Sequence, residues 1–245
     1  MDGQHRAIRR ALTGTRLLVN RAGFDVTRYH FRHRFVHALH QNGIGAVLDI
    51  GANTGQFAVA LRRAGFAGRI HSVEPLTDAF SQLSARASGY RDWTVENAAV
   101  SDEPGTITIN VSGNSVSSSV LPMLDRHAEA APFSKYVATE QVAATTVDQI
   151  VLDQGLRPAS TLLKIDVQGY EKAVLDGATK TLSSFGSVRT EMSLVALYEG
   201  QALLAEIIGL MDQNGLDLWY VEPGFVEPGT RRLLQLDGVF FRRAA

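Results

Sequence analysis

Two acids bracket a glycine turn in the first strongly apolar part of this chain. Val47-Leu48-Asp49-Ile50-Gly51-Ala52-Asn53-Thr54-Gly55-Gln56-Phe57 reads as a buried strand, a tight turn and a helix start, and the next apolar strand ends in Glu74. Gly51 lets the backbone turn without a side chain blocking a ligand, and Gly55 allows close packing or close approach at the helix start. Amides at such a helix start can receive a carboxylate or another anionic group. Asp49 can accept hydrogen bonds from a ligand ammonium, directly or through water, and Glu74 can accept two hydroxyls of a ribose. The dinucleotide fingerprint G-x-G-x-x-G does not fit Gly51-Ala52-Asn53-Thr54-Gly55, and the Gly-Lys-Ser/Thr ending of a triphosphate loop is missing. An ammonium acceptor and a diol acceptor at the two ends of one turn favour S-adenosylmethionine, which carries both groups, with S-adenosylhomocysteine as its product. After the third strand, Asn97 either bonds the adenine edge or caps its own turn, while Ala98 and Ala99 offer an apolar wall.

The second chemical segment is Leu162-Leu163-Lys164-Ile165-Asp166-Val167-Gln168-Gly169-Tyr170-Glu171. Asp166 follows a nearly continuous apolar strand, and ligands of open α/β sheets sit beyond the carboxyl ends of such strands. Glu191 ends the following strand and converges on the same cleft. Either one carboxylate acts as a general base toward a hydroxyl, or Asp166 and Glu191, with Glu171, hold magnesium or another oxygen-loving divalent cation. Lys164 on that strand must pair with an acid, such as Asp166 or Glu171, or steer a substrate. His127 and His30 are the alternative bases; each is otherwise an ordinary polar residue, and His71 reads as a packing or hydrogen-bonding residue inside its strand. The serines 115, 117, 118 and 119 form either a flexible turn or a surface for a polyhydroxylated substrate. Tyr198, Trp219 and Tyr220 supply either sugar-stacking faces or core.

These residues need a scaffold, and the hydrophobic pattern describes one. Strands are expected at 46–50, 69–73 and 93–96, alternating with helices at 54–64 and 76–87; this β-α-β-α-β succession predicts a parallel, doubly wound sheet. A helix at 146–154, a strand at 161–165, a helix at 170–183, a strand at 188–192 and a helix at 203–213 continue it. Strands at 218–221 and 238–242 close it as a hairpin. An insertion at about 105–145, with strands at 105–111 and 138–144, interrupts the repeat. Residues 1–45 form a helical appendage with two short helices, the second over 31–41, and residues 46–245 the main domain.

A length of 245 residues suits one large α/β domain. The net charge of −1 gives no sign of nucleic-acid binding. With no cysteine, thiolate zinc sites, disulfides and cysteine nucleophiles are excluded. No apolar run reaches membrane-spanning length, and no apolar signal core follows the basic start, so a cytoplasmic protein is expected. The first forty residues interleave arginines and histidines with apolar residues, which suits either a solvated cover for the sheet edge or a peripheral contact with an anionic lipid or substrate. A monomer or a homodimer is compatible with the pattern.

Taken together, the segments resemble the FkbM family of S-adenosylmethionine-dependent O-methyltransferases. The likeness spans Val47 to Arg242. It is carried by the Asp49–Gly55 turn, Val73-Glu74-Pro75, Asn97–Asp102 with Gly105, Asn114–Ser119, Thr146-Val147-Asp148, the Leu163–Glu171 segment and Val174-Leu175-Asp176-Gly177-Ala178. It implies a class I methyltransferase Rossmann-like fold: a central, mostly parallel seven-stranded sheet with an antiparallel final strand. It also places Glu74 and Pro75 beside the cofactor and implies methylation of hydroxyls on sugars, polyketides and related metabolites. A deoxyhexose such as rhamnose or fucose on a glycolipid or natural product is the acceptor expected here. One departure stands out: Gln168 occupies a position where the family typically has an acid.

Overall fold

The computed structural model describes residues 31–244. The helix α1 (Phe31–Gln41) precedes strand β1 (Ala46–Ile50), and Phe35 and Leu39 of that helix are buried in the same apolar cluster as Val47 and Phe241. The first expected helix and His30 lie outside the described residues. The α/β alternation then runs α2 (Gln56–Arg63), β2 (Arg69–Val73), α3 (Thr77–Ala87) and β3 (Trp93–Glu96).

The insertion contains β4 (Ala99–Val100), β5 (Gly105–Ser112), the short helix α4 (Asp125–Ala130) and β6 (Tyr136–Thr145). Strands β5 and β6 pair antiparallel, and the two-residue β4, too short to show as a strand in the sequence, joins β6 in parallel to make a separate three-stranded sheet. The chain returns through α5 (Val147–Asp153), capped by the Thr146 hydroxyl, which accepts from the Gln149 amide at 3.1 Å. It continues with β7 (Thr161–Ile165), α6 (Glu171–Asp176), β8 (Ser187–Ser193), α7 (Leu204–Gln213), β9 (Leu216–Pro223) and β10 (Gln235–Arg242).

The main sheet has the order β3-β2-β1-β7-β8-β10-β9, with β10 antiparallel to both of its neighbours. This is the expected seven-stranded, mostly parallel sheet. All five residues of β7 are buried, as a central strand covered on both faces must be. Two helices are shorter than their patterns predict. Helix α2 starts at Gln56 because Gly55 is left-handed, with φ +86°. Helix α6 stops at Asp176 because the next residue packs its backbone against the insertion: a Cβ on Gly177 would come within 2.1 Å of the Ser101 carbonyl oxygen.

Candidate active site

A cavity of about 410 Å³ opens at the carboxyl ends of β1, β2, β7 and β8, beneath the insertion. Parallel sheets present their ligand sites at this edge because the connecting loops, not the helices, lie beyond the strand ends.

The glycine turn forms one wall. Gly51 has φ +69°, and a Cβ there would lie 1.9 Å from the Asp166 carbonyl oxygen, so only glycine fits between the two loops. Asn53 is also left-handed, at φ +47°, and its side-chain oxygen accepts from the Thr54 amide at 2.8 Å. Glu74 is buried, and its two oxygens accept from the Asn53 amide at 2.8 Å and the Leu76 amide at 3.0 Å. Burial outweighs these bonds and pushes its carboxyl up to about 7. Asn97 donates to the carbonyls of Glu74 and Pro75, both at 2.9 Å, so its amide nitrogen fixes the Glu74 loop; Ala98, Ala99 and Val100 line the cavity beside it.

Asp49 points away from the cavity. Its carboxylate is fully buried between the Ser72 hydroxyl, at 3.2 Å, and the Lys164 ammonium, at 3.0 Å. Lys164 also donates to the carbonyls of Gly51 at 2.9 Å and Ile50 at 3.2 Å, and stands 3.7 Å from Asp166. Burial works against its charge, but Asp49 and Asp166 outweigh it and hold the lysine above its ordinary value. Lys164 therefore pairs chiefly with Asp49, a partner the sequence pattern did not suggest, and it does not pair with Glu171.

The opposite wall carries Asp166, Gln168 and Glu191. The Gln168 amide nitrogen donates to Asp166 Oδ1 at 2.9 Å and to Glu191 Oε2 at 3.2 Å, and Gln235 donates to the same Glu191 oxygen at 2.7 Å. Glu191 is raised well above the ordinary carboxyl range, first by burial and then by Asp166, Glu171 and Asp237. Glu171 does not complete a metal set with them. Its Oε1 accepts from the amides of Val167 at 3.2 Å and Gly169 at 3.1 Å, which turns it inward to hold the loop. Among the described residues, no group of three or more His, Asp or Glu side chains is arranged to hold a metal ion.

The insertion roofs the cavity and is stitched to both walls. Ser119 donates to the Gln168 carbonyl at 2.6 Å, and Ser115 lies opposite the Asn53 amide at 3.5 Å. Ser115, Ser117, Ser118 and Ser119 all line the cavity. His127 of α4 lines it too, packed between the Tyr198 ring, 5.1 Å away edge-on, and the Phe225 ring at 5.4 Å. Its Nδ1 has no hydrogen-bond partner among the described residues, and burial lowers its pKa.

The turn residues Gly51, Ala52 and Asn53, with Glu74, Pro75, Ala98, Lys164, Asp166, Glu191 and His127, thus surround one cavity. Asp49, Thr54, Gly55, Asn97 and Glu171 stand behind it. Gly55 is a packing position, since a Cβ there would meet Leu83 and Trp93 at 2.9 Å. Tyr198 is buried core rather than an open stacking face, and Trp219 lies half exposed on β9 against Phe241. Phe225, from the β9–β10 connection, and Gln235, the first residue of β10, also line the cavity beside His127 and Glu191. Neither has a local motif that would reveal it. His71 bonds Thr94 and Glu96 across the β2–β3 edge, away from the site.

A family model for the methyltransferase FkbM domain matches residues 49–218. The chain belongs to the FkbM methyltransferase domain family. The match begins at Asp49, so it takes in the glycine turn, Glu74, the insertion and the Asp166–Glu191 wall. Comparison with curated protein sequences finds no significant match. Among solved structures, the FkbM methyltransferase of Methylobacillus flagellatus KT is similar at 15% identity and a TM-score of 0.47, over 80% of this chain and 44% of that one. This FkbM domain therefore spans less than half of that protein's chain. A putative RNA methyltransferase of Pyrococcus horikoshii is similar at 11% identity and a TM-score of 0.47, covering 87% and 82% of the two chains. The magnesium protoporphyrin IX methyltransferase of Synechocystis PCC 6803, solved with bound S-adenosylmethionine, is similar at 12% identity and a TM-score of 0.46, covering 86% and 76%. No helix among the described residues is long and apolar enough to cross a membrane.

Proposed function

We propose that this FkbM domain transfers a methyl group from S-adenosylmethionine to a hydroxyl oxygen of a sugar, a deoxyhexose such as rhamnose or fucose, carried by a glycolipid or natural product. The observation that carries the reading is the single cavity joining the Glu74 turn to the Asp166–Glu191 wall. Its volume falls within the roughly 300–1,000 Å³ of small-molecule sites.

The residues of the turn fit the methyl donor. Each Glu74 oxygen accepts one backbone amide, which leaves a lone pair on each for the two ribose hydroxyls. Leu76, Ala98 and Ala99 give a flat apolar slot for an adenine. Lys164, by gripping the Gly51 carbonyl, holds the turn open toward the cavity. When bound, the donor supplies a sulfonium-activated methyl, so the protein's tasks are alignment and removal of the hydroxyl proton.

Asp166 is the group proposed to take that proton, with Glu191 beside it. The Asp166 side chain is 41% exposed and stands at the open end of the wall. Serine hydroxyls and the Phe225 ring on the same side offer the mixture of hydrogen bonds and flat apolar surface that a polyhydroxylated ring requires. A polyketide or other non-sugar hydroxyl would find the same donors but would use fewer of them. The arginine-rich first forty residues are the proposed contact with an anionic or lipid-linked acceptor.

The test is transfer of labelled methyl from S-adenosylmethionine to a panel of rhamnosides, fucosides, polyketide alcohols and amines, with products identified by mass spectrometry. Asp166→Asn is expected to lower kcat by about 100-fold while leaving donor affinity unchanged. Label found only on non-sugar hydroxyls would discard the sugar assignment. Label found only on amines would discard oxygen as the methyl acceptor.

A further inference from the structure

Two carboxylates that face one cavity repel, and proteins relieve the repulsion with a shared proton, a cation or hydrogen-bond donors. Gln235 donates to Glu191 and Lys164 stands 3.7 Å from Asp166, but the side chain that reaches both carboxylates with hydrogen bonds is Gln168. The Gln168 amide has two hydrogens, and it directs them to Asp166 Oδ1, at 2.9 Å, and Glu191 Oε2, at 3.2 Å. Its Oε1 lies 3.2 Å from the hydroxyl of the fully buried Tyr198. The opposite amide orientation would set Oε1 against both carboxylates, so the network selects the orientation observed.

The backbone is held as firmly as the side chain. Gln168 is left-handed at φ +54° and precedes Gly169 at +95°. A Cβ on Gly169 would come within 2.7 Å of the Tyr198 ring, so the turn is packed shut. The Gln168 carbonyl accepts from Ser119 of the insertion at 2.6 Å. Gln168 is thus tied to β7, β8, the insertion and Tyr198 at once. The third nearby carboxylate, Glu171, is turned away by two backbone amides. The charged groups acting on Glu191 are Asp166 and Lys164 from the β7 end, Glu171 from α6 and Asp237 from β10.

We propose that Gln168 takes the place of a divalent cation in this site: its amide bridges Asp166 and Glu191, fixes the direction of the Asp166 carboxylate, and lets the domain work without a metal. Gln168 is here a positioning residue, acting through Asp166. The activity part of this inference rests on the hydroxyl methyl-transfer reading; the metal-binding part does not.

Three proteins test it: wild type, Gln168→Met and Gln168→Glu. Wild type is expected to turn over equally with and without EDTA and to leave added Mn²⁺ free in electron paramagnetic resonance titrations. Gln168→Met keeps the side chain's length and loses both donors. Its kcat is expected to fall by about 10–100-fold, with donor affinity unchanged and the acidic limb of the pH–rate profile moved to higher pH. Gln168→Glu puts a third carboxylate between the other two, and is expected to bind Mn²⁺ and to become EDTA-sensitive. The proposal is overturned by wild-type Mn²⁺ binding that Asp166→Asn abolishes, by loss of wild-type turnover on chelation, by a Gln168→Met protein with wild-type kcat and pH profile, or by a folded Gln168→Glu protein that leaves Mn²⁺ free. Should Gln168→Met fail to fold, the wild-type titration and the Gln168→Glu protein still decide. Should wild type methylate no acceptor, the hydroxyl reading fails while the Mn²⁺ titrations continue to test Gln168.

Discussion

Lys164 Nζ lies 3.0 Å from Asp49 Oδ1, and the two residues are direct register partners on the adjacent parallel strands β1 and β7. Both side chains are nearly inaccessible, at 7% and 0% exposure. The pair joins the glycine turn to the Asp166–Glu191 wall: Asp49 leads into Gly51, and Lys164 is two residues from Asp166. The lysine's remaining bonds, to the Ile50 and Gly51 carbonyls, complete the join.

Breaking this pair from one side strands a buried charge. Lys164→Met is expected to destabilise the fold by about 3–5 kcal/mol, because Asp49 loses its counter-charge and cannot reach water. Adding Asp49→Asn to the same protein should recover part of that loss. Denaturant unfolding of the two single variants and the double variant measures both effects. Equal stability of Lys164→Met and wild type would contradict the pairing.

Gly51 is constrained in two ways at once, by its positive φ and by the Asp166 carbonyl that occupies the space of a Cβ. Gly51→Ala is expected to cost about 2–4 kcal/mol and to pry the glycine turn from the Asp166 loop. Gly43, also left-handed but open on its Cβ side, is the control: Gly43→Ala should pay for strained backbone alone, about 1 kcal/mol. Thermal unfolding together with calorimetric titration of S-adenosylmethionine checks both variants.

Much of this was legible in the residues because strands and turns are local. The seven main strands follow from apolar runs between turn signals, and the positions of Gly51, Glu74 and Asp166 follow from lying just past strand ends; Glu191, expected to end its strand, sits two residues inside β8. The illegible parts are long-range. The strand pattern asks Lys164 to pair with an acid or to steer a substrate, but the Asp49 partner depends on the register that sets β1 beside β7, two strands far apart along the chain. The inward turn of Glu171 depends on backbone amides that no side-chain pattern reports. Gln235 and Phe225 reach the site only because the antiparallel β10 sits beside β8.

His127 is expected to stay neutral through the physiological range. It sits between two aromatic rings, and burial lowers its pKa. A histidine with a depressed folded pKa contributes stability that is present above its unfolded value and is lost as pH falls through the folded one. Its ring resonances should therefore titrate below the ordinary histidine value of about 6.5 in nuclear magnetic resonance spectra. His127→Phe should remove the matching part of the acid-side loss of stability. A His127 ring that titrates at or above the ordinary histidine value would contradict its burial.

Glu74 carries the clearest pH signature for the donor end. Its folded carboxyl is raised to about 7 by burial, against 4.5 for the ordinary group. Below the ordinary value the group is protonated whether the chain is folded or not. As pH rises from there to about 7, the unfolded chain releases this proton first, so the fold loses stability; the loss is complete above 7 and amounts to about 3 kcal/mol. Glu74→Gln stays neutral and should lack this decline, which makes it more stable than wild type at pH 8. Donor binding should run the opposite way. Ribose hydroxyls bond a carboxylate better than a neutral acid, so wild-type affinity for S-adenosylmethionine should rise as pH passes about 7, while the weaker affinity of Glu74→Gln stays flat. Calorimetric titrations at pH 6 and pH 8 separate the two. Wild-type affinity in Glu74→Gln at pH 8 would remove Glu74 from the ribose site.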